Sequence, residues 1–501
     1  MKQAEDLFQL IHSLEKHEKR FFKLFASIEE GDHSYMKIFD LIDKQKVYDE
    51  AAIQKQFGIQ KNVFAVQKHY LFHLILNRIT LLHSSKESQL RMFLTQADIL
   101  YKKGLYSSYE KLLRKSKSRA VHLEMYGVLL EILRMEHINA WRKADLKEAE
   151  LVIEEEKKIL ALFNNQKQYT HLANEIITLL SDNKDEKNKK RLNQLMRHPF
   201  IVNEKNALTF NSKYTLFHTL YTYYIIYGNF RRQYYFGKKA NDLYETHPEK
   251  IKHNPLQYLY SLHNLISSCN DSKKYEEAKI YIDKLQSNSA LLTSEREKSW
   301  AFFTYHDNNS VFYIKTGNFE EGILSAEKLI RELNESKIKM DKKHYVLLYF
   351  DAAKIFFGTG DYKQCLASMN KIQHERETIK TQSDLDASVR IFYLLLHYEK
   401  GNIELLEHII KSELRNLSGT DTRYKIENVL FEFFGKSIQK INSQKEFKEL
   451  FAGLKKQLLL LRADKNEKII MEQFDYISWV ESKIENKPFA EVVKAKAKIN
   501  G

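Results

Sequence analysis

Glycine and proline are scarce in this chain. It has 15 Gly and 4 Pro among 501 residues, about 4% together where an ordinary domain carries roughly 12%. So few backbone breakers leave little material for the tight turns of sandwiches and barrels or for the Gly-rich loops of nucleotide folds. Cysteine is nearly absent. Cys269 and Cys365 cannot build a disulfide framework, which points to a reducing, cytoplasmic location. Long apolar runs are missing as well: the uncharged stretches 214–230 and 253–270 are broken by Thr, Ser, Asn and His. They fall short of the roughly 20 apolar residues a membrane span needs. The start, MKQAEDLFQLIHSLEKHEKR, is charged throughout and has no secretory signal core. No GxSxG, Walker loop, GxGxxG or Cys–His motif occurs, so the expectation is a non-enzyme without a cofactor or metal.

What the chain does have is apolar and aromatic content, 43% and 12%, enough for a continuous core despite 29% charge. With so few breakers, the expected class is all-α. A turn recurs along it: KGLYSSY (103–109), YGNFRRQ (227–233), TGNFEEG (316–322), TGDYKQC (359–365) and KGNIELL (400–406). KADLKEA (143–149) and KKYEEA (273–278) keep the pattern without the glycine. The apolar residues after each turn, Tyr106, Leu146, Phe230, Tyr275, Phe319, Tyr362 and Ile403, are spaced by 40, 84, 45, 44, 43 and 41. The double step predicts a decayed copy near residue 188. A period in this range marks stacked helix pairs, since one pair cannot bury its own apolar face. The glycines read as left-handed helix C-caps. Asn229, Asn318, Asp361 and Asn402 read as N-caps of the following helices. Each helix has room for about 16–20 residues, or ~24–30 Å.

These residues resemble the tetratricopeptide repeat, in which Gly-Asp/Asn-aromatic marks the inter-helix turn and a small residue follows three positions later. Tyr275/Ala278, Phe319/Gly322 and Tyr362/Cys365 follow that pattern, as do Tyr224, Tyr313 and Phe356 four residues before the turn. Gln233 and Leu406 depart from it, the period is longer than the family's, and the closing proline is absent. The resemblance implies a right-handed α-solenoid over 87–461, with an N-terminal helical cap at 1–86. A C-terminal capping helix at 464–485 and a basic tail, KAKAKING, fill 462–501.

Nine and ten residues before each turn stand polar residues in otherwise aromatic and aliphatic helices: His218 and Thr219, His263 and Asn264, Asp307 and Asn308, and Asp351, with Thr95 in the first unit. Asn, Asp and Thr are poor mid-helix choices because they compete for backbone hydrogen bonds. In the family this column faces the concave groove, so the resemblance implies that these residues, with Lys354 in a neighbouring column, contact a protein or peptide ligand. The other reading is that they hydrogen-bond between adjacent helices and hold the stack together.

Nucleic acid is the rival partner. The chain is formally +14, but the excess is spread thinly and not gathered into a stripe. Its densest run, KLLRKSKSR (111–119), offers Lys115, Lys117 and Arg119 as phosphate contacts, or else it is a solvated helix face. In 1–86 a charged helix at about 3–28 precedes helices at about 34–44, 49–57 and 61–84. The last two could form a DNA-reading helix-turn-helix presenting Lys61, Asn62, Gln67 and Lys68. Its HYLFHLIL end is too apolar to lie free in a groove. The alternative function is therefore a regulator with a DNA-binding N-terminus and a sensing array. His69 and His73 are four apart, a ligand spacing, but no Glu follows the first His as a metalloprotease motif requires. Abundant Lys, Asn, Ile, Tyr and Phe suggest a low-GC bacterial source.

Overall fold

Between successive helices the backbone turns left-handed at Gly104, Glu124, Ala144, Gly228, Lys273, Gly317, Gly360 and Gly401. Most of these turns share one bonding scheme. At the first, Gly104 N–H reaches Tyr101 O and Leu105 N–H reaches Leu100 O, at 3.0 and 2.9 Å. The pair repeats around Glu124, Ala144, Gly228, Lys273 and Gly401. It is the Schellman ending, which satisfies carbonyls that a helix end leaves bare. Glu124 and Ala144 hold φ of 53° and 54° without being glycine. The turn at Glu124 therefore escaped the motif: 106–142 is two helices of 17 residues, not a single stretch.

A computed structural model describes residues 3–26, 34–58, 61–82, 86–181, 185–335, 340–375, 383–417, 424–437, 443–464 and 466–500. Among them the fold is all-α. The chain divides into two bodies, 1–161 and 162–501. In the first, α1 (Gln3–Ser13), α2 (Lys16–Ala26), α3 (Ser34–Lys44), α4 (Glu50–Phe57) and α5 (Lys61–Leu82) share a core of Leu7, Ile11, Phe22, Phe39, Phe64 and Leu71. The helix expected over 3–28 is broken at residues 14–15, where Glu18 turns back to accept from Glu15 N–H at 2.5 Å. Then α6 (Lys86–Lys102), α7 (Tyr106–His122) and α8 (Tyr126–Arg142) pack in sequence, ahead of α9 (Leu146–Ser181). At 36 residues α9 exceeds the expected helix length. Near residue 188, where the spacing predicts a decayed copy, the chain forms α10 (Glu186–Leu195), N-capped by Asp185, and residues 182–184 lie outside the described residues.

The second body continues with α11 (Pro199–Val202), α12 (Phe210–Ile226), α13 (Phe230–Glu245), α14 (Pro248–His253), α15 (Pro255–Asp271), α16 (Tyr275–Asn288), α17 (Glu295–Thr316), α18 (Phe319–Glu335), α19 (Lys342–Thr359) and α20 (Tyr362–His374). Asn229 and Asp361 cap α13 and α20 as expected, while Asn402 turns its amide to His397 Nδ1 at 3.1 Å. Pro199, Pro248 and Pro255 each open a helix, where a missing N–H costs nothing. Each first helix packs on its partner, and α15, α17 and α19 also pack on one another. After α21 (Ser383–Glu399), α22 (Ile403–Leu417), α23 (Lys425–Glu432) and α24 (Gln444–Ala463), the C-terminal region departs from expectation. The span 464–485 is two helices, α25 (Lys468–Met471) and α26 (Tyr476–Glu485), and the basic tail is a helix, α27 (Phe489–Asn500). It is packed on α17 and α19.

Candidate functional site

The polar column of the first helices falls into three local arrangements. On α12, Thr219 is buried and its hydroxyl donates to Thr215 O at 2.7 Å. His218 is half-buried between its own helix's Tyr214 and Tyr221 rings, and burial lowers its pKa. On α15 and α17, His263 Nδ1 lies 2.9 Å from Asn308 Nδ2, and Asn308 also donates to Thr304 O at 2.6 Å. Because Asn308 donates, His263 accepts at Nδ1 and is a neutral imidazole, in keeping with the lowering of its pKa by burial. Asn264, one residue on, is half-buried.

On α17 and α19 the arrangement is ionic. Lys354 Nζ sits 2.7 Å from Asp351 Oδ1, both side chains buried. Asp307 is partly exposed as a residue, yet its carboxyl lies in a buried setting and hydrogen-bonds with Asp351. Burial first, and then the neighbouring Asp351, push the Asp307 pKa up to about 8 against the opposing pull of Lys354. Two carboxyl groups this close hold one proton between them. Asp307 is accordingly the donor toward Asp351. The column residues thus join neighbouring first helices from α15 to α19. His218, His263, Asn264 and Asp307, with Thr95 in the first body, are the members that retain surface.

The basic run is less free than its sequence suggests. Lys117 is held by Glu136 and Glu155 at 2.7 and 2.6 Å. Lys115 and Arg119 both lie over the Phe93 ring, 5.5 and 5.2 Å from its centroid. In the N-terminal segment Lys68 pairs with Glu50 of α4 at 2.7 Å, and Leu71, Leu74 and Ile75 of α5 are buried. Asn62 is exposed; the side chain of Lys61 lies outside the described residues. The His69 and His73 rings lie 4.4 Å apart, and among the described residues no group of three or more His, Cys, Asp or Glu could hold a metal ion. Among them, too, no helix is long and apolar enough to cross a membrane.

No family model and no curated protein matches this chain. The sequence pattern passed over the other flank of α17, where His306 Nε2 meets Glu332 at 2.9 Å and Asn309 donates to Ser325 at 2.7 Å. At the offsets of His306 and Asn309 the other first helices carry mostly apolar or aromatic residues, with Arg390, Gln96 and Glu136 as the exceptions, so the repeat shows no polar column there. A His buried beside Tyr and Phe on an aromatic helix was the only available sign.

Proposed function

We propose that this protein is a non-catalytic scaffold whose helix pairs form a right-handed, tetratricopeptide-like α-solenoid and bind a protein or peptide along the first helices. The supporting observation is that α15, α17 and α19 pack side by side and link the same sequence column, His263 to Asn308 and Asp307 to Asp351. A strip fixed by such bonds loses little side-chain freedom when a ligand arrives, so more of each contact appears as affinity. His263, Asn308, Asp307, Asp351 and Lys354 serve cohesion, and His218 and Asn264 remain to meet the ligand. Asn308→Ala would strip a buried bond, so it tests stability more than binding.

A photo-crosslinking residue placed at position 264 is the better probe, compared with one at Leu324, which is 72% exposed on α18. The expected result is a partner captured from 264 and not from 324, and lost when His218→Glu is added to a protein that still melts as wild type. Identical captures from both positions would reject the strip as the binding face.

A further inference from the structure

Two inter-helix turns of the second body carry the same tripeptide, Gly-Asn-Phe, at 228–230 and 317–319, with left-handed glycines at φ 65° and 70°. One is sealed and the other is bare. At the α17–α18 turn Phe319 is 1% exposed. Its ring fills the space beside Gly358 of α19, where a Cβ would run into it, and Phe489 of α27 lies 5.8 Å away. The backbone of α27 comes so near that a Cβ on Gly317 would stand 2.6 Å from Lys494 N. At the α12–α13 turn, by contrast, Phe230 is 42% exposed beside Tyr227 at 50%, Ile226 at 42% and Ile225 at 40%. Gly358 stands four residues before Tyr362, and Asp271 holds that place before Tyr275. Asp271 accepts from Gln233 at 3.0 Å, so no glycine pocket receives Phe230. Nor does a helix cover Gly228, where a Cβ would meet nothing within 4 Å. Contiguous exposed apolar surface of this kind marks an interaction site.

Charge selects the occupant. The sealed turn is followed by Glu320 and Glu321, and the helix that covers it carries Lys494, Lys496 and Lys498. At the same two positions after the bare turn stand Arg231 and Arg232. Both are exposed and neither makes an ion pair with another described residue; Arg232 donates to Tyr224 Oη at 2.9 Å. Lys189 of α10, paired with Glu186 at 2.5 Å, lies within electrostatic reach of Tyr227. The nearby carboxylates, Glu186 and Asp271, are thus both engaged. From α10 through α13, residues 186–245 hold eleven Lys and Arg against four Asp and Glu, half of the chain's net +14.

We propose that the α12–α13 turn seats an acidic helix of a protein partner, one that opens with an aromatic residue, as a charge-reversed counterpart of α27. Its ring would lie against Phe230 and Tyr227. Its backbone would approach Gly228 as α27 approaches Gly317, and its carboxylates would meet the Arg231 and Arg232 guanidinium groups in charge-assisted hydrogen bonds. This seat is at the helix ends, whereas the polar column lies mid-helix.

The probe is a capped, fluorescent peptide of residues 488–499 carrying Lys494→Glu, Lys496→Glu and Lys498→Glu. It is hydrocarbon-stapled, because a helix this short is marginal in water. Titrated with the full-length protein at low salt, it should bind, and the unaltered 488–499 peptide should not. Phe489→Ala in the acidic peptide, and Phe230→Ala or Arg231→Glu in the protein, should each weaken binding by roughly tenfold or more. Gly228→Ala should weaken it too, whereas Gly360→Ala, the same change in another open left-handed turn, should leave it intact. No binding of the acidic peptide, equal binding of the acidic and basic peptides, or equal effects of the two glycine variants would each overturn the proposal. So would a wild-type protein that ignores the peptide but binds oligo-dT, phosphatidylserine vesicles or a second copy of itself through Phe230.

Discussion

Asp307 carries the most telling single-residue chemistry in the second body, because its carboxyl group stays protonated where an ordinary aspartate is charged. Its pKa is raised to about 8 in the folded protein, from 3.8, by burial and by Asp351. The unfolded chain releases this proton above about pH 4, whereas the native protein keeps it until about pH 8. The contribution of Asp307 is therefore fully present below the lower value and is lost as pH rises through the higher one. One proton sets a limiting slope of about 1.4 kcal/mol per pH unit. His218 and His263 act in the opposite sense: burial lowers their pKa values, so their contribution fades as pH falls below about 6.5. The comparison must therefore be between variants. Asp307→Asn retains a donor for Asp351 and cannot ionise. It is expected to match wild type near pH 4 and to exceed it increasingly up to pH 8. Urea denaturation across that range checks this, and parallel stability curves would disprove the shared proton.

At the scale of helices, the repeat was legible because glycine, Asn or Asp, and an aromatic residue each report a local backbone state. The left-handed turns at Gly104, Gly228, Gly317, Gly360 and Gly401 announce themselves by the residue that best tolerates positive φ. Glu124 enters the same state at φ 53° without being glycine, so composition gave no sign of it. The polar column was visible for the same periodic reason, but its partners were not. That His263 meets Asn308, or that Asp307 meets Asp351, depends on the offset between packed helices, which no single segment encodes. Arg390 shows the same limit. It lies 7% exposed on α21, bound to Asp386 on the same helix, to Glu427 of α23 at 2.8 Å, and near Glu413 of α22 at 3.9 Å. Removing the guanidinium would leave these carboxylates facing one another in a dry interior. Arg390→Leu is expected to cost about 3–5 kcal/mol, read from chemical denaturation. A loss below about 1 kcal/mol would mean that the carboxylates take up protons or water at little expense.

Across the second body, helices pack mainly on near neighbours in sequence, a pattern whose stability is close to a sum of local terms. The C-terminal hairpin breaks the pattern. Trp479 Nε1 donates to Glu399 at 2.7 Å, Lys483 pairs with the same carboxylate at 2.6 Å, and Phe489 packs near Phe319, Phe357 and Phe474. By these contacts α26 and α27 tie α17 through α21 into one cooperative block. The fit depends on Gly317, because a Cβ there would stand 2.6 Å from Lys494 N and 2.9 Å from its Cα. Those are backbone atoms of α27, and they cannot rotate away as a side-chain tip would. Gly360 provides the control, since its φ is also left-handed, 80° against 70°, yet a Cβ there would meet nothing within 4 Å. Gly360→Ala should therefore cost only the conformational penalty of about 1–2 kcal/mol. Gly317→Ala should cost that amount and a further ~1–3 kcal/mol of overpacking, with faster hydrogen exchange confined to the amides of α27. Equal losses in the two variants, with α27 equally protected in both, would show that the helix does not bear on the turn and that the latch is not what couples the block.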